Sequence, residues 1–585
     1  MNRLFNDHVK RTVYSLDGVW DFKTDKEHVG EMQKWYEDFP KVEIMQMAVP
    51  SCINNRLGMI EYQDVCWYRK KFYAKKGTLL IRFGAVSEYA KVWLDGSYLG
   101  DHYGGFTAFE FLADVEEGEH TLVVMVDARS TEDTLPLWAV DWHHYCGIMR
   151  SVEVSRLANV SISGLAVRYE LSQDLKDVKM CIAAGLRRHG GRCADGMKGQ
   201  SMTEESAPGE KPECDMRQCT LKVWLDDTLI HEQTYEVDET REITVEYELK
   251  DVRLWDVGKP ELYTVRLETD EDDLIDRVGF RKIAVEGKKL ILNGRPLTIK
   301  GVNRHEEHPD WGFAVPLSIM QRDMDILKDL NVNTVRGSHY PNSKYFLDMC
   351  DAEGILFWSE IPMWGFPEKN LQRPLVIERG LKMHEEMVEQ YFNHPSIIIW
   401  GMHNEVDTDT EAGYRITKTF MEKVRSMDNS RLITYATNRI LKDECLDLID
   451  FISVNQYVGW YEGDICDWTD FMVQMKAYLK EKGVDNKPVL MSEFGVGAVF
   501  GHKNFEELRW SENYQAEFYD HTINLFLNDE DICGVLLWQF CDIRSNAKWS
   551  LLRARSFNNK GLINEYRNPK LAYYKVREVF GNVRD

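Results

Sequence analysis

From Trp20 to about Val154 the chain consists of short runs in which apolar and polar residues alternate, separated by turn residues. Alternation with a period of two, repeated at short intervals, is typical of an all-β sandwich or jelly roll. Asp95 and Gly96 separate two apolar strands, and a type I′ hairpin turn needs residues that tolerate positive φ. We therefore predict an N-terminal jelly-roll domain over residues 1–157.

A second β pattern extends from about Asn159 to Ala284 and predicts an immunoglobulin-like β-sandwich over residues 158–286. A polar, glycine-rich stretch near 187–218 interrupts this pattern. The stretch contains almost nothing that a core could bury, so we predict a flexible insertion in a hairpin of the sandwich.

After Lys288 the pattern changes to apolar runs of strand length, and most gaps between them have helical periodicity. This repeat predicts a (β/α)8 TIM barrel over residues 287–585, because a typical barrel takes about 250 residues. An open doubly wound sheet is the alternative, but its first strand would more often lead into a glycine-rich phosphate-binding turn, and KGVNRHEEH is not one. The predicted strands are LTIKGVN, NTVRGSHY, ILFWSEI, IIIWGMHNE, LITYATN, FISVNQY, PVLMSEFG and GVLLWQF.

Charge and cysteine usage narrow the possible partners and location. The net charge of −24 opposes binding to phosphate backbones and anionic lipids, so we expect no nucleic-acid or membrane partner. The start of the sequence lacks the apolar run of a signal peptide, and no apolar run reaches the roughly 18 residues of a membrane span. The twelve cysteines show no C-x-x-C pair and no zinc-finger spacing, which indicates reduced thiols. We therefore predict a cytoplasmic protein.

The active site of a TIM barrel lies at the C-terminal ends of its strands, so polar and aromatic residues that close apolar runs are the candidates. The sequence contains no P-loop, no H-E-x-x-H and no recognisable Ser-His-Asp or Cys-His set. Seventeen tryptophans fit either large cores or stacking on sugar rings, and composition does not decide between them. The candidates are Asn303, Arg304, His305, Glu306, Arg336, His339, Glu360, His403, Asn404, Glu405, Asn438, Asn455, Tyr457, Glu493 and Trp538.

Two glutamates stand out among these residues. Glu405 closes predicted strand 4 and Glu493 closes predicted strand 7, so their carboxyl groups reach the barrel mouth from opposite sides. Glycoside hydrolysis needs such a pair of carboxyl groups. One must be protonated, to give its proton to the leaving oxygen, and the other must be ionised, to attack the anomeric carbon. Either glutamate alone is equally well explained by a structural salt bridge, but the two together favour catalysis.

The stretches NRHEEHP, VRGSHYPN, WGMHNE and MSEFG resemble the signatures of glycoside hydrolase family 2, which contains β-galactosidases, β-mannosidases and β-glucuronidases. The domain order, a sugar-binding jelly roll followed by an immunoglobulin-like sandwich and a catalytic barrel, matches as well, so the resemblance covers essentially the whole chain. It implies a retaining β-glycosidase that works by double displacement, with Glu405 as acid/base and Glu493 as nucleophile. The substrate would be a small-molecule or oligosaccharide β-glycoside, and we expect a homo-oligomer.

Family β-galactosidases bind magnesium through a Glu and a His after strand 3. The corresponding segment here, SEIPMWG, has no His. We therefore predict no catalytic metal and no cofactor.

Three further stretches bear on the sugar. SFNNKGLINEYRNPK resembles the N-x-K motif with which β-glucuronidases hold the uronic acid carboxylate, here Asn558 and Lys560. NQYVGWY resembles the segment that those enzymes place beside the nucleophile. DWHHYCGIMR resembles a segment of their first domain in which an Asp, here Asp141, reaches a sugar hydroxyl. The resemblance implies a substrate-binding set of Asp141, His339, Asn404, Asn455, Tyr457, Tyr461, Trp538, Asn558 and Lys560.

A chain with net charge −24 needs a local cation to bind an anionic sugar, and Lys560 with Arg553 or Arg555 could supply it. Lys560 could equally be a solvated loop charge, and Asp141 could cap a turn. We predict hydrolysis of β-D-glucuronides. Because the arginine before N-x-K aligns in two registers, a β-galacturonidase is an alternative, as is a neutral β-galactosidase of the same family. A non-catalytic carbohydrate-binding protein is the alternative from another class.

Overall fold

The computed structural model describes residues 3–189 and 217–583. Its N-terminal region is an antiparallel β-sandwich, as the alternating pattern predicted, and Asp95 and Gly96 form the predicted turn with φ of 50° and 80°. Apolar side chains of both sheets fill the space between them. One sheet contains, in spatial order, Met45–Val49, Gly18–Thr24, Val65–Ala74, Gly118–Asp127, Tyr89–Leu94 and Ser97–Tyr103; the other contains Val13–Ser15, Val152–Arg156, Gly77–Phe83 and Phe109–Val115; Val86–Ser87 pairs with Gly147–Ile148.

The second region is a smaller sandwich of two antiparallel sheets, as predicted. The predicted flexible insertion near 187–218 falls mostly on residues 190–216, which lie outside the described residues. The three-stranded sheet contains Val160–Leu171, Val178–Arg188 and Thr240–Leu249, the four-stranded sheet contains Thr228–Val237, Arg217–Leu225, Tyr263–Glu268 and Asp273–Val278, and a small sheet of Ile283–Glu286, Lys289–Leu292 and Arg295–Leu297 leads into the third region.

The third region is a closed barrel of eight parallel strands. All eight predicted runs form its strands, and β4 is buried at every position, which explains why it reads as one continuous apolar run. The strands are β1 (Ile299–Asn303), β2 (Thr334–Arg336), β3 (Leu356–Glu360), β4 (Ile397–Asn404), β5 (Leu432–Thr437), β6 (Ile452–Asn455), β7 (Val489–Glu493) and β8 (Ile532–Leu537).

Helices surround the barrel in most of the gaps between strands. The helix after β3 begins at Pro374, well before the periodic segment MHEEMVEQYF, because proline is well suited to the first helical position. The described residues between β5 and β6 contain no α-helix, and no helix in the described part of the chain is long and apolar enough to cross a membrane. The helices are α1 (Leu317–Asp329), α2 (Lys344–Glu353), α3 (Pro374–Tyr391), α4 (Glu411–Met427), α5 (Trp468–Glu481), α6 (Glu512–Leu527) and α7 (Leu571–Asn582), with short turns at Glu368–Leu371 and Ala547–Ser550.

A loop of the first sandwich reaches the barrel mouth. The backbone N–H of His143 donates to the carbonyl of Arg544 at 2.9 Å, and the Asn546 side chain donates to the carbonyl of Trp138 at 2.8 Å. The hydroxyl of Tyr145 donates to the Glu307 carboxylate at 2.8 Å. The first two contacts hold the loop against the segment that follows β8, and the third holds it against the segment that follows β1.

The segment after β8 is tied back to α1 by a buried ion-pair network. The Asp323 carboxylate on α1 lies 2.8 Å from a guanidinium nitrogen of Arg304 and 2.9 Å from one of Arg567. All three side chains are almost completely buried. Since an uncompensated charge in a protein interior is costly, the network depends on each of its members.

We expect Asp323→Ala to lower the free energy of unfolding by about 3–5 kcal/mol, because it leaves two buried guanidinium groups without their carboxylate. Asp325→Ala, on the same helix but exposed, is the matched control and should have little effect. Urea denaturation of both variants measures the difference. Equal midpoints would show that the network does not contribute.

Candidate active site

A cavity of about 650 Å³ lies at the carboxyl ends of the barrel strands. Most predicted site residues line it: Asp141, Glu405, Asn455, Tyr457, Tyr461, Glu493, Trp538 and Lys560. The remaining three lie behind the wall: His339 stacks on Trp538, Asn404 accepts a hydrogen bond from Asn455, and Asn558 donates one to Asp141.

Glu493, at the end of β7, has a cation on one carboxylate oxygen and a hydroxyl on the other. Arg336 donates to Oε1 at 2.6 Å, and the hydroxyl of Tyr457 donates to Oε2 at 2.8 Å. Burial raises the pKa of Glu493 to about 7, while the guanidinium and the hydroxyl act in the opposite direction. These two donors favour the ionised form and fix the direction of the carboxylate.

Glu405 directly follows β4 and has a different environment. Its backbone adopts φ of 53° and donates from its N–H to the carbonyl of Ala436 at 2.9 Å. Its carboxylate accepts one hydrogen bond, from Asn455 at 2.9 Å. Burial raises the pKa of Glu405 to about 8, and the nearby charge of Glu493 acts in the same direction. The pair therefore combines a carboxyl group whose pKa is raised with little opposition and one whose ionised form is favoured by a cation and a hydroxyl.

Arg336, at the end of β2, connects four strands. Besides Glu493 it binds Glu360 of β3 through two nitrogens, both at 2.9 Å, and it donates to the side chains of Asn404 at 2.7 Å and Asn303 at 3.1 Å. The guanidinium is completely buried. Four of its hydrogen bonds thus orient groups that surround the carboxylate of Glu493.

Asn404 and His339, at the base of the cavity, each have one side-chain nitrogen that forms no hydrogen bond with the described residues. The oxygen of the Asn404 amide accepts from Arg336 and Asn455, but its Nδ2 has no hydrogen-bond partner among the described residues. His339 binds Glu360 through Nδ1 at 2.7 Å, and its Nε2 has no such partner. Burial lowers the pKa of His339 well below its usual value, so the ring is neutral. Both atoms are buried and have unused hydrogen-bonding capacity.

Lys560 is a buried ammonium surrounded by aromatic rings. Its side chain is 1% exposed, and its Nζ lies 4.7 Å from the ring centre of Tyr461, 5.2 Å from that of Tyr457 and 5.6 Å from that of Trp460. It donates to the hydroxyl of Tyr461 at 2.8 Å, and no carboxylate among the described residues pairs with it. Burial lowers the pKa of Lys560 well below its usual value, and the neighbouring Arg553 adds to this effect.

Asp141, from the first sandwich, connects the remaining two predicted groups. One of its oxygens accepts from Arg553 at 2.9 Å and the other from Asn558 at 2.6 Å. Arg553 also lines the cavity, whereas Arg555 turns away and pairs with Glu565 at 2.7 Å. Of the two arginines that the sequence offered, Arg553 is therefore the one beside Lys560.

Sequence reasoning did not single out several residues of the wall. Trp364 and Trp460 lie within the quoted segments SEIPMWG and NQYVGWY, so the comparison with family motifs could have drawn attention to them. The others belong to loops without a recognisable pattern. The residues are Trp364, Gln456, Trp460, Glu462, Arg509, Trp510, Trp549 and Leu552.

Among the described residues, two groups of side chains have the composition of a metal site, and neither belongs to this cavity. In the first, Asp273 already accepts backbone hydrogen bonds from Val9 and Lys10. In the second, Asp348 is bound by Arg3. The remaining members are His8 and Asp272 in the first group and Asp351 and His394 in the second.

Comparison with known proteins matches each region of the chain. Family models match residues 283–585 as "Glycosyl hydrolases family 2, TIM barrel domain", residues 58–158 as the sugar binding domain of that family, and residues 160–281 as "Glycosyl hydrolases family 2". A β-glucuronidase from Streptococcus agalactiae is 25% identical to this chain, with 96% of this chain and 94% of the relative covered.

Two solved structures are similar over nearly the full length. A family 2 β-galacturonidase from Eisenbergiella tayi, bound to galacturonate, has a TM-score of 0.89 and 31% identity and covers 100% of both chains. A β-glucuronidase from Ruminococcus gnavus, in complex with D-glucuronic acid, has a TM-score of 0.84 and 26% identity and covers 99% of both chains. The matches to the barrel and to both sandwiches, together with the paired carboxyl groups at the barrel mouth, establish that this chain belongs to glycoside hydrolase family 2.

Proposed function

We propose that this glycoside hydrolase cleaves β-D-glucuronides with retention of configuration, using Glu493 as nucleophile and Glu405 as acid/base. The observation that carries the choice of sugar is the buried Lys560 ammonium, which has no carboxylate partner among the described residues. A buried cation is costly unless it is paired. In a protein with net charge −24, an anionic group on the substrate is the partner that this position fits.

The reaction would follow two steps. In the first, the ionised carboxylate of Glu493 attacks the anomeric carbon while the protonated Glu405 gives its proton to the leaving oxygen, so that a covalent glycosyl-enzyme forms and the aglycone departs. In the second, Glu405 takes a proton from water, the resulting oxygen attacks the anomeric carbon, and the ester bond to Glu493 breaks. The two pKa values support these roles, since the group with the higher pKa holds its proton longer.

Other groups of the site would bind the sugar. The free Nδ2 of Asn404 can donate to a sugar hydroxyl beside the reacting carbon, and the ring of Trp538 offers an apolar surface to the pyranose. Lys560 would bind the C6 carboxylate together with Arg553 and Asn558. The hydroxyl of Tyr461 accepts from both cations, and the Asn558 side chain accepts from the backbone N–H of Lys560. The incoming carboxylate would favour the protonated ammonium, which burial alone disfavours.

A β-D-galacturonide is the second candidate substrate. Glucuronate and galacturonate differ at C4, and Asp141 has both carboxylate oxygens engaged by Arg553 and Asn558. A carboxylate in this state does not select one C4 epimer by itself. The similarity to a β-galacturonidase at 31% identity supports this candidate as well.

We also propose that the protein works in a reducing compartment, as the cytoplasm is, and as a homo-oligomer. The ten cysteines in the described part of the chain are all free, and most of them are buried, which supports the first proposal. Light scattering on the purified protein would test the second.

The stereochemistry of azide products separates the two carboxyl groups. In Glu493→Ala, azide can attack only in place of the missing nucleophile, so we expect the inverted α-glycosyl azide. In Glu405→Ala, the glycosyl-enzyme still forms from a substrate with an activated leaving group, and azide then attacks from the opposite face to give the β-glycosyl azide. NMR of the products distinguishes the two outcomes. Exchanged products would reverse the assignment.

The pH dependence of kcat/KM should be bell-shaped, with its acid limb set by Glu493 and its alkaline limb by Glu405. Tyr457→Phe removes a hydrogen bond that favours ionised Glu493, so the pKa of Glu493 rises and the acid limb moves to higher pH. Asn455→Ala removes one that favours ionised Glu405, so the alkaline limb moves to higher pH. The bell should therefore narrow in the first variant and widen in the second. A displacement of both limbs together in either variant would contradict the assignment.

Lys560→Ala should lower kcat/KM toward uronides by roughly a hundred to several thousandfold, since breaking a buried ion pair costs about 3–5 kcal/mol and 1.36 kcal/mol is tenfold. Rates on the neutral glucoside and galactoside should barely change, because these sugars have no carboxylate. The measurement uses matched nitrophenyl glucuronide, galacturonide, glucoside and galactoside, with the exposed Lys503→Ala as control. A wild type that prefers neutral sugars, or an equal loss on all four substrates, would refute the uronide proposal.

A further inference from the structure

Glu405 lies between two loops that line the cavity and that the proposed function does not assign to the sugar. Trp364 belongs to the loop after β3, and Asn438 follows β5. The backbone of Glu405 is bonded to Ala436 at the end of β5, only two residues before Asn438. Both side chains therefore lie on the acid/base side of the cavity.

The position of Trp364 is fixed by its own loop. The N–H of Gly365 donates to the carbonyl of Asn404 at 2.9 Å, and the N–H of Asn404 donates to the carbonyl of Met363 at 2.8 Å. The indole also meets Trp142 edge to face, with 6.2 Å between ring centres. Trp364 is thus held beside the residue that precedes Glu405, and a ring that is already ordered loses little entropy when it contacts a ligand.

The other end of the cavity has a different set of rings. Trp460 lies 5.6 Å from the Nζ of Lys560 and meets Trp510 edge to face at 4.9 Å. A uronide whose carboxylate is bound by Lys560 has its anomeric carbon between Glu405 and Glu493. Its aglycone must then extend past Glu405, away from Trp460.

We propose that Trp364 is the surface on which the aglycone stacks, and that the natural aglycone therefore has a flat ring face, either an aromatic ring or a pyranose. This inference rests on the proposed function insofar as it takes Glu405 as the group that serves the leaving oxygen. Asn438 offers an exposed amide on the other side of Glu405 for a polar group of the same aglycone.

The test compares three substrates that share one sugar and differ in the aglycone: the methyl glycoside, the nitrophenyl glycoside and a disaccharide with a pyranose as leaving group. The shared sugar is whichever of the four nitrophenyl glycosides the wild type cleaves fastest. The proposal about the aglycone can therefore be tested even if the enzyme turns out to prefer a neutral sugar.

Trp364→Leu keeps the apolar volume but removes the ring, and Trp364→Phe keeps a smaller ring. For Trp364→Leu we expect kcat/KM to fall about 3- to 10-fold more for a ring aglycone than for the methyl glycoside, since an aromatic contact contributes about 0.5–1.5 kcal/mol. Trp364→Phe should recover part of this loss, and it carries the test alone if the leucine variant does not fold. Trp311→Ala, an exposed tryptophan outside the cavity, is the control.

Trp364 could instead act only by positioning Glu405 through Asn404, and two readouts separate this role from contact with the aglycone. The glycosyl-enzyme no longer contains the aglycone, so where its breakdown limits turnover of the nitrophenyl glycoside, kcat should stay constant while KM rises. The alkaline limb of the pH profile should also stay in place. A disturbed Glu405 would lower kcat as well and move that limb.

A selective loss on the nitrophenyl glycoside supports an aromatic aglycone, and a selective loss on the disaccharide supports a sugar aglycone. Equal losses on the methyl glycoside and on both ring aglycones would overturn the proposal. So would a displaced alkaline limb in Trp364→Phe.

Discussion

The site is organised around one buried cation, the guanidinium of Arg336. A charge with no contact to water must be matched by acceptors, and Arg336 finds them on the ends of neighbouring strands and across the barrel, in Glu360, Asn404 and Glu493. Each acceptor is fixed in return, because moving it would leave the guanidinium uncompensated. The same requirement therefore orients the carboxylate of Glu493 and favours its ionised form.

Glu405 differs from Glu493 because this cation does not bind it. Its carboxylate accepts only the amide of Asn455, so burial and the charge of Glu493 raise its pKa with little opposition. Lys560 differs from Arg336 in the same way, because no carboxylate among the described residues pairs with it. The charge of Arg336 is neutralised by Glu360 and Glu493. Lys560 is surrounded by aromatic rings, which attract a cation but carry no negative charge to neutralise it. One cation thus stabilises the arrangement of the strand ends, and under the proposed function the other binds the substrate.

The sequence was sufficient to predict the barrel and the position of Glu405 and Glu493 at its mouth. Parallel strands that are buried on both faces appear as apolar runs, and the residues that end them lie at the mouth. It could not distinguish Arg553 from Arg555. That choice depends on positive φ at Arg555 and Ser556 and on the pairing of Arg555 with Glu565, which are tertiary features of one loop. The gap between β5 and β6, which lacks a helix, has no periodic signal either.

The groups proposed to bind the sugar are positioned differently from the two glutamates. Glu405 and Glu493 sit at strand ends, but Arg553 and Asn558 belong to the loop after β8 and are oriented by Asp141 of a different domain. Because Asp141 contacts Arg553 and Asn558, a movement of the first sandwich relative to the barrel would displace these two residues before it displaced the glutamates. Substitutions in this loop or at the domain contact would therefore alter the proposed sugar-binding groups without removing any contact of Arg336.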